Sequence, residues 1–146
     1  MKPRASLSQR GFSLLECMLA MLIISLGVVG LLSLQSSSII SVHDAKMRSD
    51  AGLLANEMIG LLWVDRANLA NYALNPGATD CPSGSNTSSN PVVQSWVERV
   101  KQLPGADSYA QSVRIDTNKL VTITLCWKSP QDTEPRTFST VSLIQG

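Results

Sequence analysis

At 146 residues, the chain has room for one ordinary domain and one additional segment, and a single apolar block dominates its mean hydropathy of +0.09. Twelve basic and eleven acidic residues give a formal net charge of +1. The basic residues are scattered and form no stripe interleaved with aromatic residues, which argues against nucleic-acid binding. The only histidine is His43, and the cysteines form no cluster, so we expect no metal, no cofactor and no enzymatic activity.

The apolar block runs from Leu14 to Leu34 and is long enough to cross a membrane once. As a helix it would rise about 31 Å, which matches a hydrocarbon thickness of about 30 Å. Lys2, Arg4 and Arg10 precede the block without any acidic residue, whereas mixed charges follow it. This bias predicts a single-pass anchor in membrane lipid, with a cytoplasmic N-terminus and a C-terminal body across the membrane.

Glu16 is the only charged residue inside the block. A charge near the middle of a membrane costs roughly 2.5–3.5 kcal/mol on insertion scales, and less near an end. Two explanations are open: the carboxylate reaches the lipid headgroups, or it pairs with a positive charge.

Three classes of N-terminal signal compete for the first 35 residues. A secretory signal peptide has a shorter apolar run and a cleavage site after that run. A lipoprotein signal also places its cysteine after the apolar run, whereas Cys17 stands near the beginning of this one. The third class fits all of the residues: the sequence Gly11-Phe12-Ser13-Leu14-Leu15-Glu16, between a basic leader and an apolar helix, resembles the processing site of type IV prepilins and pseudopilins.

The resemblance implies that a prepilin peptidase cuts after Gly11 and methylates the new amino group of Phe12. A glycine before the cut suits an extended backbone lying in a protease cleft. Glu16 lies four residues after Phe12, one helical turn away on the same face, so its carboxylate could pair with that ammonium in the same or a neighbouring subunit. The intermolecular pair would also set the axial register between subunits.

The continuation of the helix resembles PilV-type minor pilins, with Gly27 and Gly30 followed by Leu34-Gln35. The two glycines either let a neighbouring helix approach closely or loosen this helix locally. The resemblance implies a minor pilin of the type IV pilus that helps to initiate assembly in a tip or priming complex. The alternatives are a minor pseudopilin of a type II secretion system and a stem-anchored surface-binding module that uses the Ser-rich loop or the sheet edge.

The implied partners are other minor and major pilins, the prepilin peptidase, an inner-membrane assembly platform and a cytoplasmic assembly ATPase. The implied organisation is a leader peptide at residues 1–11, a transmembrane half-helix at 12–35 and a periplasmic globular domain at 36–146. The protein would reside in the inner membrane and then in the fibre, at or near the tip.

The predicted fold is α+β and pilin-like: a long N-terminal helix packed on a small antiparallel sheet. The proline-free span lets the helix run from about Ser13 to about residue 70, and its second half carries a periodic apolar face. The residues of that face are Ile40, Met47, Ala51, Leu54, Met58, Leu61 and Leu62. We expect this face to pack on the protein's own sheet rather than in a coiled coil with a partner.

A surface loop is predicted at residues 77–91, followed by a short amphipathic helix that ends at Pro104-Gly105. Three strands follow, joined by polar turns into a meander. Their predicted bounds are Tyr109 to Asp116, Leu120 to Trp127, and Arg136 to Ile144.

Cys81 and Cys126 lie in the part of the chain predicted to be exported, where an oxidising compartment would join them. That bridge would close a loop of about 45 residues and stabilise the domain by up to about 4 kcal/mol. Cys17, within the anchor, would stay a free thiol.

Several polar residues carry weaker signals. His43 is predicted to be solvated, and the Asp132 and Glu134 pair is predicted to lie in a solvated turn rather than in a calcium site. Asn86-Thr87-Ser88 matches a glycosylation acceptor pattern, but we do not expect it to be glycosylated. Asp44 and Arg48 stand four residues apart and could form a helical ion pair.

Overall fold

The computed structural model describes residues 13–145 and shows an α+β chain. Its elements are helix α1, Leu14–Val64; helix α2, Pro91–Val100; and strands β1, Ser112–Ile115, β2, Leu120–Trp127, and β3, Arg136–Leu143. The predicted fold class, a long apolar N-terminal helix followed by a small antiparallel sheet, is confirmed. The chain divides between His43 and Asp44 into two compact units, so α1 contributes to both.

The core of the second unit begins on one face of α1. Side chains three and four residues apart share a helix face, and five of them on α1 are almost completely buried. These residues are Met47, Ala51, Ala55, Met58 and Leu62. Leu54 and Leu61 are partly buried beside them, as the sequence predicts.

Ile40 departs from that prediction, because its side chain is 46% exposed. It belongs to the first unit, before the point at which the chain begins to build the folded core. Ile40 therefore keeps the spacing of the packing face but is not part of the buried core.

Helix α2 contributes a second apolar face to the core. Its first turn is capped by Asn90, whose side-chain oxygen accepts a hydrogen bond from the backbone N–H of Val92 at 2.9 Å, and Pro91 suits the first helical position. Trp96 is fully buried, and its indole N–H donates to the backbone carbonyl of Leu54 on α1 at 2.8 Å. This bond ties α2 to α1 while meeting the polar requirement of a buried tryptophan.

The sheet is a simple antiparallel meander with the order β1-β2-β3. On β2 the residues Val121, Ile123, Leu125 and Trp127 are buried, while Thr122 and Thr124 are half-exposed on the opposite face. The predicted period of two is therefore confirmed, and the bounds of β2 agree with the prediction.

Helix α1 ends at Val64, before the predicted end near residue 70. Asp65 begins a turn: its carboxylate accepts hydrogen bonds from the side-chain amide of Asn68 at 2.8 Å and the hydroxyl of Tyr72 at 3.1 Å. Short polar side chains of this kind compete with helical hydrogen bonds. Burial, reinforced by the hydrogen bond with Asp65, raises the pKa of Tyr72.

Strand β1 begins at Ser112 rather than at the predicted Tyr109. Immediately before it, the backbone N–H of Ala110 donates to Pro82 O at 2.9 Å, and that of Gln111 donates to the side-chain oxygen of Asn86 at 2.6 Å. These two backbone groups bind the preceding loop instead of β2, which delays the start of the strand.

Candidate processing and assembly segment

The residues predicted to be processed lie at the boundary of the described structure. Gly11 and Phe12, the predicted cleavage and methylation positions, lie outside residues 13–145, so both remain predictions. Glu16 lies within the first turn of α1, and its backbone N–H donates to the carbonyl of Ser13 at 2.9 Å. Its carboxylate is thus placed near the N-terminal end of the helix, where the helix dipole favours negative charge.

Glu16 has no ion-pair partner among residues 13–145. Its side chain is exposed on a surface that is otherwise apolar. A carboxylate in such surroundings is stable when it reaches water, lipid headgroups or a cation supplied from outside the described residues. The geometry is therefore compatible with either explanation of Glu16 given by the sequence.

The helix around Glu16 exposes its apolar side chains on every side. The segment Leu14–Leu32 has a mean hydropathy of 2.4, and none of its residues is buried. The exposure of its large apolar side chains ranges from 49% at Val28 to 78% at Leu14. By length and composition this helix could cross a membrane, and a helix that is apolar all round requires apolar surroundings.

Gly27 and Gly30 lie within this exposed segment. A methyl group added at either position would meet nothing within 4 Å, so the isolated chain gives no steric reason for glycine there. Both of the roles predicted for the glycines, close approach of a neighbouring helix and local loosening, therefore remain open.

The second unit is closed by a disulfide between Cys81 and Cys126, with a Cα–Cα distance of 5.6 Å. This is the pairing predicted from the sequence, and Cys17 is a free, exposed thiol. Gln111 holds the backbone of Cys126 in place: its side-chain oxygen accepts from the Cys126 N–H at 2.8 Å, and its side-chain nitrogen donates to the Cys126 carbonyl at 3.0 Å. Just before β1 begins at Ser112, the buried side-chain amide thus makes the hydrogen bonds that a backbone ladder would otherwise make with Cys126.

Asn86 organises the loop that contains the glycosylation pattern. Its side-chain amide donates to the carbonyl of Tyr109 at 2.8 Å, and its side-chain oxygen accepts from Asn75 at 3.1 Å. Attaching a glycan to that amide nitrogen would disturb the bond to Tyr109. The Asn86 side chain therefore has a structural role.

An ion-pair clamp joins α1 to the loop between β2 and β3. The guanidinium of Arg136 donates to both carboxylate oxygens of Asp132 at 2.8 Å, and one of its nitrogens lies 2.9 Å from the carboxylate of Asp44. Asp44 pairs with Arg136, whereas the sequence suggested Arg48 as its partner. The hydrogen bonds from Arg136 hold the pKa of Asp132 below its usual value.

Three of the polar residues that carried weaker signals in the sequence are accounted for as follows. His43 and Glu134 are exposed, and Asp132 forms an ion pair with Arg136. Among residues 13–145, no group of three or more His, Cys, Asp or Glu side chains could hold a metal ion.

Sequence reasoning missed Arg136, Gln111 and Asn86. Little in the sequence distinguishes Gln111 and Asn86 from exposed polar residues, because their partners are mostly backbone groups of distant segments. In the predicted strand, Gln111 shares a face with Tyr109 and Val113, which is a faint signal of burial. Nothing in the local pattern connects Arg136 with Asp44.

In the comparison with known families, a model described as the prokaryotic N-terminal methylation motif matches residues 6–32. The chain carries a type IV pilin-like prepilin signal. Comparison with curated proteins and with solved structures found no match.

The prepilin signal covers Gly11, Phe12, Glu16 and most of the apolar helix in one continuous match. It supports a type IV pilin-like or pseudopilin protein, a class that is structural rather than catalytic. It also implies processing by a prepilin peptidase and partners of the pilin type. The exposed apolar helix is consistent with anchoring by a single membrane pass.

Proposed function

We propose that this protein is a minor pilin of a type IV pilus, which helps to initiate fibre assembly as part of a tip or priming complex. The prepilin signal supports a pilin-type subunit, and the resemblance of Gly27, Gly30 and Leu34-Gln35 to PilV-type proteins favours the minor pilin. The observation that carries the proposal is the direct joining of the signal to an apolar helix that stays exposed in the single chain.

In this proposal the peptidase removes residues 1–11 and methylates Phe12, while the apolar helix remains attached. Residues 12–35 are stored in the inner membrane, with the N-terminus cytoplasmic and residues 36–146 periplasmic. Assembly transfers the helix from lipid to a core of neighbouring helices. Because both surroundings are apolar, the transfer yields no large hydrophobic gain, so external work and charge pairing decide it.

Glu16 supplies the charge pairing in this proposal. Once cleaved, each subunit would carry an ammonium at Phe12 and a carboxylate one turn later, both within an apolar fibre core. Pairing the carboxylate with the ammonium of an adjacent subunit neutralises two charges that are poorly tolerated alone, and it fixes the axial register.

The test of this pairing compares Glu16→Ala and Glu16→Gln with Glu98→Gln, a surface carboxylate on α2 whose side chain is 69% exposed. Both Glu16 variants should insert in the membrane and be cleaved, yet their amount in sheared fibres should fall at least tenfold. Glu98→Gln should enter fibres normally. The measurement is the ratio of fibre to membrane protein by immunoblot, and normal incorporation of Glu16→Gln would contradict the pairing.

Deleting the gene separates this function from its rivals. Loss of surface fibres supports the pilin. Loss of secretion of folded exoproteins with fibres intact would instead indicate a minor pseudopilin. Intact fibres with lost attachment would indicate a surface-binding module.

A further inference from the structure

The two edges of the sheet differ in how their backbone groups are satisfied. The β1 edge is covered: the N–H of Leu74 donates to Val113 O at 3.1 Å, and the N–H of Val113 donates to Leu74 O at 2.8 Å. A second bridge, between Ser83 and Tyr109, extends this cover beyond the start of the strand. The segment that contains the disulfide therefore covers the first edge at Val113 and before the start of β1.

The β3 edge has no such cover within residues 13–145. Strand β3 pairs only with β2, and no other described backbone segment is bonded to Thr137–Leu143. This edge is eight residues long, against four in β1. Long uncovered edges of this kind are templates for another strand.

The register identifies which backbone groups of β3 are free. The N–H of Ile144 donates to the carbonyl of Lys119. Continuing this register along the strand, the even-numbered residues of β3 direct their backbone N–H and C=O groups toward β2. Because these groups alternate in an antiparallel ladder, the odd-numbered residues direct theirs away from β2. The outward set is Thr137, Ser139, Val141 and Leu143.

The same four residues also present their side chains to solvent. Val141 is 58% and Leu143 43% exposed, and Thr137 and Ser139 are exposed as well. From Thr137 to Leu143 the strand has no charged residue, no proline and no glycine, the features by which natural proteins commonly block an edge. Arg136, at its start, is already neutralised by Asp44 and Asp132.

We propose that the β3 edge binds an extended, uncharged segment of another protein by strand addition. An antiparallel guest would place apolar residues beside Val141 and Leu143, and Ser or Thr beside Thr137 and Ser139, since like side chains pair well across strands. The guest should be uncharged, because Thr137–Leu143 contains no charged side chain that could pair with a charge on the guest. The inference goes beyond the proposed function and does not depend on it.

A second copy of β3 fits this edge less well. In the two-fold antiparallel register centred on Thr140, Thr137 would face Leu143 and Ser139 would face Val141. Each polar side chain would then oppose an apolar one. Like side chains meet when the two copies slide so that Val141 faces Leu143, but that register leaves Thr137 and Ser139 without partners on β3. A guest that matches all four outward residues is therefore a different sequence.

The test measures amide hydrogen exchange by NMR on the full chain in detergent micelles. The probe is the peptide acetyl-Val-Ser-Val-Ser-Thr-Ser-Thr-Ser-amide at millimolar concentration, and the control is the same peptide with proline at its third and fifth positions. Without peptide, the amides of Phe138, Thr140 and Ser142 should exchange slowly and those of Ser139 and Val141 quickly. The probe should slow the latter two at least tenfold, and the proline peptide should not.

Two protein variants sharpen the result. Val141→Pro removes an N–H that points away from β2, so the sheet should persist, as slow exchange at Thr140 would show, while protection by the probe is lost. Val141→Thr keeps the N–H and should retain that protection. The proline peptide keeps the test valid if Val141→Pro disturbs the sheet.

Three results would overturn the proposal. Slow exchange at Ser139 and Val141 in dilute protein without peptide would show that the edge is already covered. Protection that rises with protein concentration alone would make a second copy the occupant. Equal effects of the two peptides, or none from either, would exclude strand addition.

Discussion

The apolar segment Leu14–Leu32 and the folded unit that begins at Asp44 bury their apolar side chains by different means. In the folded unit, large side chains such as Met58, Trp96 and Trp127 are almost fully buried by the chain itself. In the apolar segment no residue is buried, although its mean hydropathy is 2.4. The first has its partners within the chain, and the second must find them in lipid or in other helices.

A single helix can therefore serve two kinds of surroundings. Helix α1 runs through both units without interruption, and only the distribution of its apolar residues changes along it. A helix that is apolar all round suits a membrane or a fibre core, whereas a helix with one apolar stripe suits a folded domain in which its other face is exposed to solvent. Substitutions in the two parts should therefore have different consequences.

The largest effect on the folded unit is expected from removing the disulfide. The double variant Cys81→Ser and Cys126→Ser opens a loop with a sequence separation of 45 residues and should lower the free energy of unfolding by about 4 kcal/mol. Urea unfolding under oxidising conditions measures this. If wild type and variant unfolded at the same urea concentration, the bridge would contribute nothing to the stability of this unit.

A matched pair of leucines on α1 gives the next largest effect. Leu62 is fully buried and Leu53 is 66% exposed on the same helix, so the two replacements by alanine differ mainly in burial. Leu62→Ala should cost about 3 kcal/mol because it leaves a cavity, and Leu53→Ala less than about 0.5 kcal/mol. Thermal unfolding followed by near-UV circular dichroism tests the difference; equal shifts would mean that α1 does not form the core described above.

The smallest effect is expected from Asp132→Asn, through its pH dependence. Because the pKa of Asp132 is lowered in the folded state, its contribution is present above the unfolded value of 3.8 and is lost as the pH falls through the lower folded value. Asp132→Asn should thus have a slightly lower thermal unfolding temperature than wild type at pH 7, and the difference should narrow as the pH falls below 3.8. A difference that stayed constant as the pH fell would rule out the clamp as its source.

Some of these structural features could be predicted from the sequence and others could not. The alternation along β2 and the apolar periodicity of α1 are local patterns, so the strand and the buried face of the helix follow from them directly. The end of α1 at Val64 does not, because it depends on side-chain bonds from Asn68 and Tyr72 to Asp65.

The polar contacts within the folded unit were the hardest to predict. Arg136 reaches Asp44 across a large sequence separation, and no local pattern marks either residue as a partner of the other. Gln111 binds backbone groups, which every residue carries, so its partners leave no signature in the sequence. The disulfide was predictable because the apolar segment sets Cys17 apart from the other two cysteines.

The most direct test of the account is the intact mass and N-terminal sequence of the protein extracted from native membranes. The processed protein should begin at Phe12, carry one methyl group on its amino nitrogen and retain the whole apolar helix. Gly11→Val should leave the unprocessed chain. A native product that began at Met1, or at any residue other than Phe12, would contradict the account.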